Sequence, residues 1–152
     1  MENDKSISVL NALITINNDR IQGYETAIGE TEDQDLKTLF AQFIQTSKLC
    51  RNELSTEVTK LGGTPEDGTR IDGKIYRAWM DFKALVTGKD RKAILSSCEY
   101  GEDVAVNAYE RALKDEDLSS SYHAMVSAQH AKIKADHDIV KSKRDALVMQ
   151  DH

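Results

Sequence analysis

The sequence predicts an all-α fold built from four long helices. Apolar residues recur at alternating steps of three and four along every long segment, which is the periodicity of one helix face. No alternating run of β-branched residues lies between turn signals, so no strand is predicted. One proline and eight glycines in 152 residues are too few for a loop-rich β-sandwich or a disordered chain. We therefore expect one helical domain over residues 1–152.

The first two helices are predicted at about residues 6–29 and 32–61. Gly29 suits the position after a helix end, and Thr31 with Gln34 suits a capping box that opens the second helix. The short break between the helices predicts an antiparallel hairpin. The apolar stripe of the first helix contains Leu10, Ile14, Asn17, Ile21, Tyr24 and Ile28.

A short extra helix is predicted at about 72–87, and two further long helices at about 91–114 and 119–147. The connection between the second and third long helices is too long for a hairpin. It is typical of a bundle in which these two helices run parallel and need a crossover. The sequence therefore predicts a ferritin-like four-helix bundle, with Trp79 and Phe82 anchoring the crossover helix against the bundle or a second subunit.

Composition and charge exclude several classes of protein. The 20 basic and 26 acidic residues give a formal net charge of −6, whereas a nucleic-acid-binding protein needs a basic face. No apolar run reaches the roughly 18 residues of a membrane span. Two cysteines and a start without signal-peptide features favour a cytoplasmic setting. The expected partner is a second copy of the chain, as a dimer, and neither nucleic acid nor membrane is expected.

The third long helix carries carboxylates on its apolar face. Glu99 and Glu102 share a stripe with Leu95, Val106 and Tyr109. A buried carboxylate costs several kcal/mol unless it is paired or metal-bound. The alternative is that Glu102 lies at the edge of the stripe and reaches solvent.

The fourth long helix carries histidines in the equivalent position. His130 and His137 lie on one stripe, but they are two turns apart, roughly 10 Å, and cannot bind one ion together. His137, between Asp136 and Asp138, is the better metal-ligand candidate. The alternative is a core or interface histidine paired with a carboxylate.

Glu25 on the first helix and Glu53 on the second lie near the core edge. Together with Glu102 and His137 they predict a metal site for iron, manganese or zinc, with Glu99 and His130 as second choices. For Glu25 and Glu53 the alternative is a solvated helix face. The Glu-x-x-His pairs of a di-iron bundle are absent, since none of the residues three places before a histidine is acidic: Ser120, Ser127, Lys134 and Met149. Cys50 and Cys98 are expected to be small buried hydrophobic residues.

A further set of ordered segments covers about residues 8 to 146: 10–20, Gly23-Tyr24-Glu25, Glu53-Leu54, 61–65, 76–81, 88–91, 98–103 and His137-Asp138. Together these segments resemble a bacterial ferritin-like family of unknown function, domain of unknown function 2383. The resemblance implies a ferritin-like bundle without an established activity. The broader superfamily implies metal or redox chemistry, with Glu25, Glu53, Glu102 and His137 in the ligand positions.

Two classes of function are consistent with these residues. One is a metal-binding, stress-related bundle in which the carboxylates and His137 are ligands. The other is a non-catalytic structural or protein-interaction bundle without metal, in which the polar core residues pair with one another. The sequence assigns no enzymatic activity.

Overall fold

The computed structural model describes residues 2–68 and 91–150 as four α-helices joined by turns. We label them α1 (Glu2–Glu30), α2 (Gln34–Lys60), α3 (Arg91–Lys114) and α4 (His123–Gln150), and a 3₁₀ turn at Ser120–Tyr122 precedes α4. These described ranges contain no strand, which confirms the all-α prediction. None of their helices is long and apolar enough to cross a membrane. The predicted helix at 72–87, with Trp79 and Phe82, lies outside the described residues.

The helix ends differ in detail from the sequence prediction. α1 begins earlier, at Glu2, and continues through Gly29 to Glu30. The predicted capping box was wrong, because the N-cap of α2 is Asp33. The Thr31 hydroxyl instead accepts a hydrogen bond from the Asp33 N–H at 3.2 Å. Thr31 therefore stabilises the turn between α1 and α2 rather than the first turn of α2.

Contacts between helices give the direction of each one. α1 packs against α2 and α3, and α4 packs against α3 and α2. The Ser6 hydroxyl near the start of α1 donates to the Asp117 carbonyl beyond the end of α3, at 3.3 Å, so these two helices are antiparallel. α1 and α2 are antiparallel as well, because a short turn joins them. It follows that α2 and α3 run parallel, as the sequence predicted.

The described residues on either side of the connection from α2 to α3 lie at opposite ends of the bundle. Just after α2, the Asn11 side chain donates to the Thr64 carbonyl at 3.1 Å and accepts from the Glu66 N–H at 2.9 Å. At the start of α3, Arg91 donates to Asp35 near the start of α2, at 2.8 Å. The 27 residues of α2 separate these two places by roughly 40 Å. The predicted crossover is therefore confirmed.

The core lies between all four helices and has an aromatic centre. Tyr24 packs against Phe40 and Phe43, with ring centroids 5.3 and 5.2 Å apart. All three rings are buried, and they lie among aliphatic side chains from every helix, including Leu10, Ile14, Leu36, Leu54, Leu95, Val126, Ile133 and Val140. This packing holds the helices in the register that builds the polar sites below.

Candidate metal centre

A buried polar cluster crosses the middle of the bundle and draws one side chain from each helix. Its members are Arg20 of α1, Ser47 of α2, Glu102 of α3 and Asp136 of α4, which we call the central cluster. Arg20, Ser47 and Glu102 are fully buried, and Asp136 is nearly so. Ionisable side chains are rarely buried in this way unless they are paired.

Arg20 is the hub of the central cluster. Its Nε and Nη2 donate to the two oxygens of Glu102 at 2.6 and 3.0 Å, a two-bond arrangement that matches guanidinium to carboxylate. Nη2 also donates to Asp136 Oδ2 at 3.2 Å, and Nη1 donates to the Ser47 hydroxyl. The guanidinium carbon lies 5.6 Å from the centre of the Tyr24 ring. The partner that the buried Glu102 requires is therefore Arg20.

The central cluster contains one more carboxylate than it has cations. The pKa of Asp136 is raised to about 6, chiefly by burial and in part by the charge of Glu102, although Arg20 acts in the opposite direction. Asp136 therefore binds its proton more tightly in the folded protein than in the unfolded chain. Its contribution to stability is full below pH 3.8 and is lost as the pH rises through about 6.

Asp136→Asn should remove this pH dependence. We expect the wild type to lose about 2–3 kcal/mol of unfolding free energy between pH 4 and 7 from this group, and the variant to lack that decline. Urea unfolding at half-unit pH intervals measures the difference. Asp4→Asn, at an exposed position of α1, is the control and should follow the wild type. Parallel curves for wild type and Asp136→Asn would contradict the prediction.

A second buried network lies in the neighbouring layer, and Tyr109 is its centre. Asn17 donates to the Tyr109 hydroxyl at 2.8 Å, and that hydroxyl donates to Gln129 at 2.7 Å. The Gln129 amide in turn donates to the Cys50 carbonyl at 3.3 Å and to Glu53 Oε1 at 3.1 Å. This network again joins all four helices, and it uses Glu53 as a hydrogen-bond acceptor.

Three potential metal ligands meet on the outer side of the bundle, where α3 packs against α4. Glu99 and Asp103 lie one turn apart on α3, and His137 faces them from α4. One ligand atom from each residue lies within 4.8 Å of the other two. We call this group the seam site. His137 Nε2 is 2.5 Å from Asp103 Oδ1, and this pair is open to solvent because the Asp103 side chain is 54% exposed.

Two further residues set the electrostatics of the seam site. Asp138 Oδ1 lies 3.0 Å from His137 Nδ1, and Arg144 contacts the Glu99 carboxylate. Partial burial lowers the pKa of His137, but hydrogen bonds to Asp138 and Asp103 raise it more, so the net shift is upward. A proton on His137 and the Arg144 guanidinium therefore supply positive charge to this acidic group.

The six candidate metal ligands from the sequence lie in five separate places. Glu25 is exposed on α1, Glu53 accepts from Gln129, and Glu102 is paired with Arg20. His137 lies in the seam site, where it meets the second-choice residue Glu99. The other second-choice residue, His130, has Nε2 3.4 Å from Glu110 Oε2.

Sequence reasoning missed Asp103 and Arg20. Asp103 lies four residues after Glu99, a spacing that brings two side chains onto one helix face. Because Asp103 is exposed, its position in the sequence does not distinguish it from an ordinary surface carboxylate. Arg20 carried no signal, because arginine is mostly found at the surface.

The two cysteines are free and buried. Burial raises the pKa of the Cys50 thiol to about 11 and that of Cys98 well above its ordinary value. Both are therefore thiols rather than thiolates near neutral pH.

Comparison with known proteins gives the family and the fold. No curated protein sequence matches the chain. A solved structure of a Dps1 mutant from Mycobacterium smegmatis is similar over 94% of this chain and 97% of that one, with a TM-score of 0.78 and 13% sequence identity. At that identity the likeness establishes the ferritin-like fold alone. The model of a family described as a domain of unknown function, DUF2383, matches residues 5–115, which include Glu99 and Asp103 and end before His137. The chain therefore belongs to the DUF2383 family, and its fold is a ferritin-like four-helix bundle.

Proposed function

We propose that this protein binds one divalent transition-metal ion at the seam site. The observation that carries the proposal is the meeting of Glu99, Asp103 and His137, whose ligand atoms all lie within 4.8 Å of one another. Metal–ligand bonds of about 2.0–2.2 Å put neighbouring ligand atoms roughly 3 Å apart, so small side-chain movements suffice to close the site.

The donor set limits the choice of metal. Two carboxylate oxygens and one imidazole nitrogen suit iron, manganese or zinc, whereas an all-oxygen set would suit magnesium or calcium. The exposure of Asp103 leaves room for water to complete the coordination. Asp138 has the position of an orienting group, because it can accept the Nδ1 proton of His137 and leave the Nε2 lone pair free for the metal.

A metal ion must displace two positive charges that already lie against the carboxylates of the seam site. The first is the proton on His137, whose raised pKa makes metal affinity fall as the pH drops. The second is Arg144, which contacts Glu99. Replacing Arg144 with an uncharged residue should free that carboxylate for the metal.

His137→Gln should lower the affinity for Mn²⁺ and Zn²⁺ by about 10-fold or more, because it removes the nitrogen ligand. Arg144→Met should raise the affinity. Isothermal titration calorimetry of metal-free protein at pH 7.5 measures both effects, and for the wild type we expect one ion per chain. His130→Gln is the matched control, since His130 also lies between α4 and α3 and has a single carboxylate, that of Glu110, beside it. Equal affinities for wild type and His137→Gln would contradict the proposal, as would no binding at all.

The second candidate function is a structural or protein-interaction bundle without metal. It is favoured by the central cluster, in which buried polar residues pair with one another rather than leaving ligands free. Elemental analysis of protein purified without chelators or affinity-tag metals separates the two functions. A stress-related role, a dimer, the absence of nucleic acid as a partner and a cytoplasmic location remain predictions from the sequence.

A further inference from the structure

We infer that the guanidinium of Arg20 lies where a metal ion would otherwise bind at the centre of this bundle, and that it excludes metal from the central cluster. Ferritin-like bundles that hold metal build the site from inward-facing side chains on all four helices. The central cluster has the same construction, with Arg20, Ser47, Glu102 and Asp136 each contributed by a different helix. This inference does not depend on the seam site.

The guanidinium already donates hydrogen bonds to the carboxylate oxygens that a metal ion would need as ligands. Both oxygens of Glu102 accept hydrogen bonds from Arg20, at 2.6 and 3.0 Å, and Asp136 Oδ2 accepts a third at 3.2 Å. Arginine has N–H donors in every direction of its plane and no lone pair to offer, so it cannot itself become a ligand. An ion at this place would lie beside a fixed positive charge.

The net charge of the central cluster leads to the same conclusion. Two ionised carboxylates and one guanidinium leave the central cluster with one negative charge. A divalent ion added to it would bury one net positive charge in an almost fully enclosed site, which is unfavourable. Without the guanidinium, Glu102 and Asp136 would carry the two negative charges that a divalent ion neutralises, and Ser47 would add a hydroxyl oxygen.

The first test uses a chain that retains Arg20 but lacks the seam site. Asp103→Asn/His137→Gln should bind neither Mn²⁺ nor Zn²⁺ in calorimetric titrations. Binding of an ion that is then lost in the further variant Glu102→Gln would overturn the inference. If the wild type binds no metal, the seam proposal fails but this inference stands, so the two failures are distinguishable.

The second test removes the guanidinium. Arg20→Ser, added to Asp103→Asn/His137→Gln, should gain one Mn²⁺ per chain and show a thermal midpoint that rises by roughly 5 °C or more in excess Mn²⁺. Adding Glu102→Gln to that variant should abolish the gain. A folded Arg20→Ser variant that ignores Mn²⁺ and Zn²⁺ would overturn the inference, and if this variant does not fold with or without metal, the first test alone decides.

Discussion

Arg20→Met is expected to lower the free energy of unfolding by about 3–5 kcal/mol. The substitution keeps most of the side-chain volume but leaves the fully buried Glu102 without its partner and Asp136 without a donor. An unpaired buried charge is costly because the protein interior replaces little of the hydration that the charge had in water. Urea unfolding followed by circular dichroism measures the loss.

The matched variants separate charge from packing. Arg20→Met/Glu102→Leu removes both charges and should regain most of the lost stability, since apolar replacements of a buried ion pair are often neutral or better. Arg111→Met, at an exposed position of α3, should have little effect. If the double variant is as unstable as Arg20→Met, the loss comes from packing and the electrostatic interpretation is wrong.

Phe40→Ala is expected to cost a similar amount, about 3–5 kcal/mol. Phe40 is fully buried and its ring packs against Tyr24 and Phe43, so the truncation opens a cavity in the aromatic centre of the core. The same urea experiment measures the cost. Leu49→Ala on α2 is the control, because Leu49 is 59% exposed and its truncation opens no cavity. A loss below about 1 kcal/mol for Phe40→Ala would mean that the core collapses around the missing ring.

The sequence predicts some residues of the candidate site but not the partners that they meet. Periodicity assigned Glu102 to the apolar face of its helix, and a carboxylate in that position needs either a metal or a partner. The partner is Arg20, 82 residues away, and no local pattern links the two. The acidic neighbours of His137 in the sequence indicate a candidate ligand. Asp103 and Glu99 reach His137 only because α3 and α4 are antiparallel at one particular register.

The sequence by itself determined the helices, the parallel arrangement of α2 and α3 and the need for a crossover, because these depend on apolar periodicity and on the length of the connection. Only the tertiary structure decided which polar residues meet. Periodicity tells which side chains share a face of one helix, but it does not give the axial position of one helix against another. A shift of one turn, about 5.4 Å, between α1 and α3 would separate Arg20 from Glu102. That register follows from the packing of the whole core, and it places Glu102, a predicted metal ligand, against the buried Arg20.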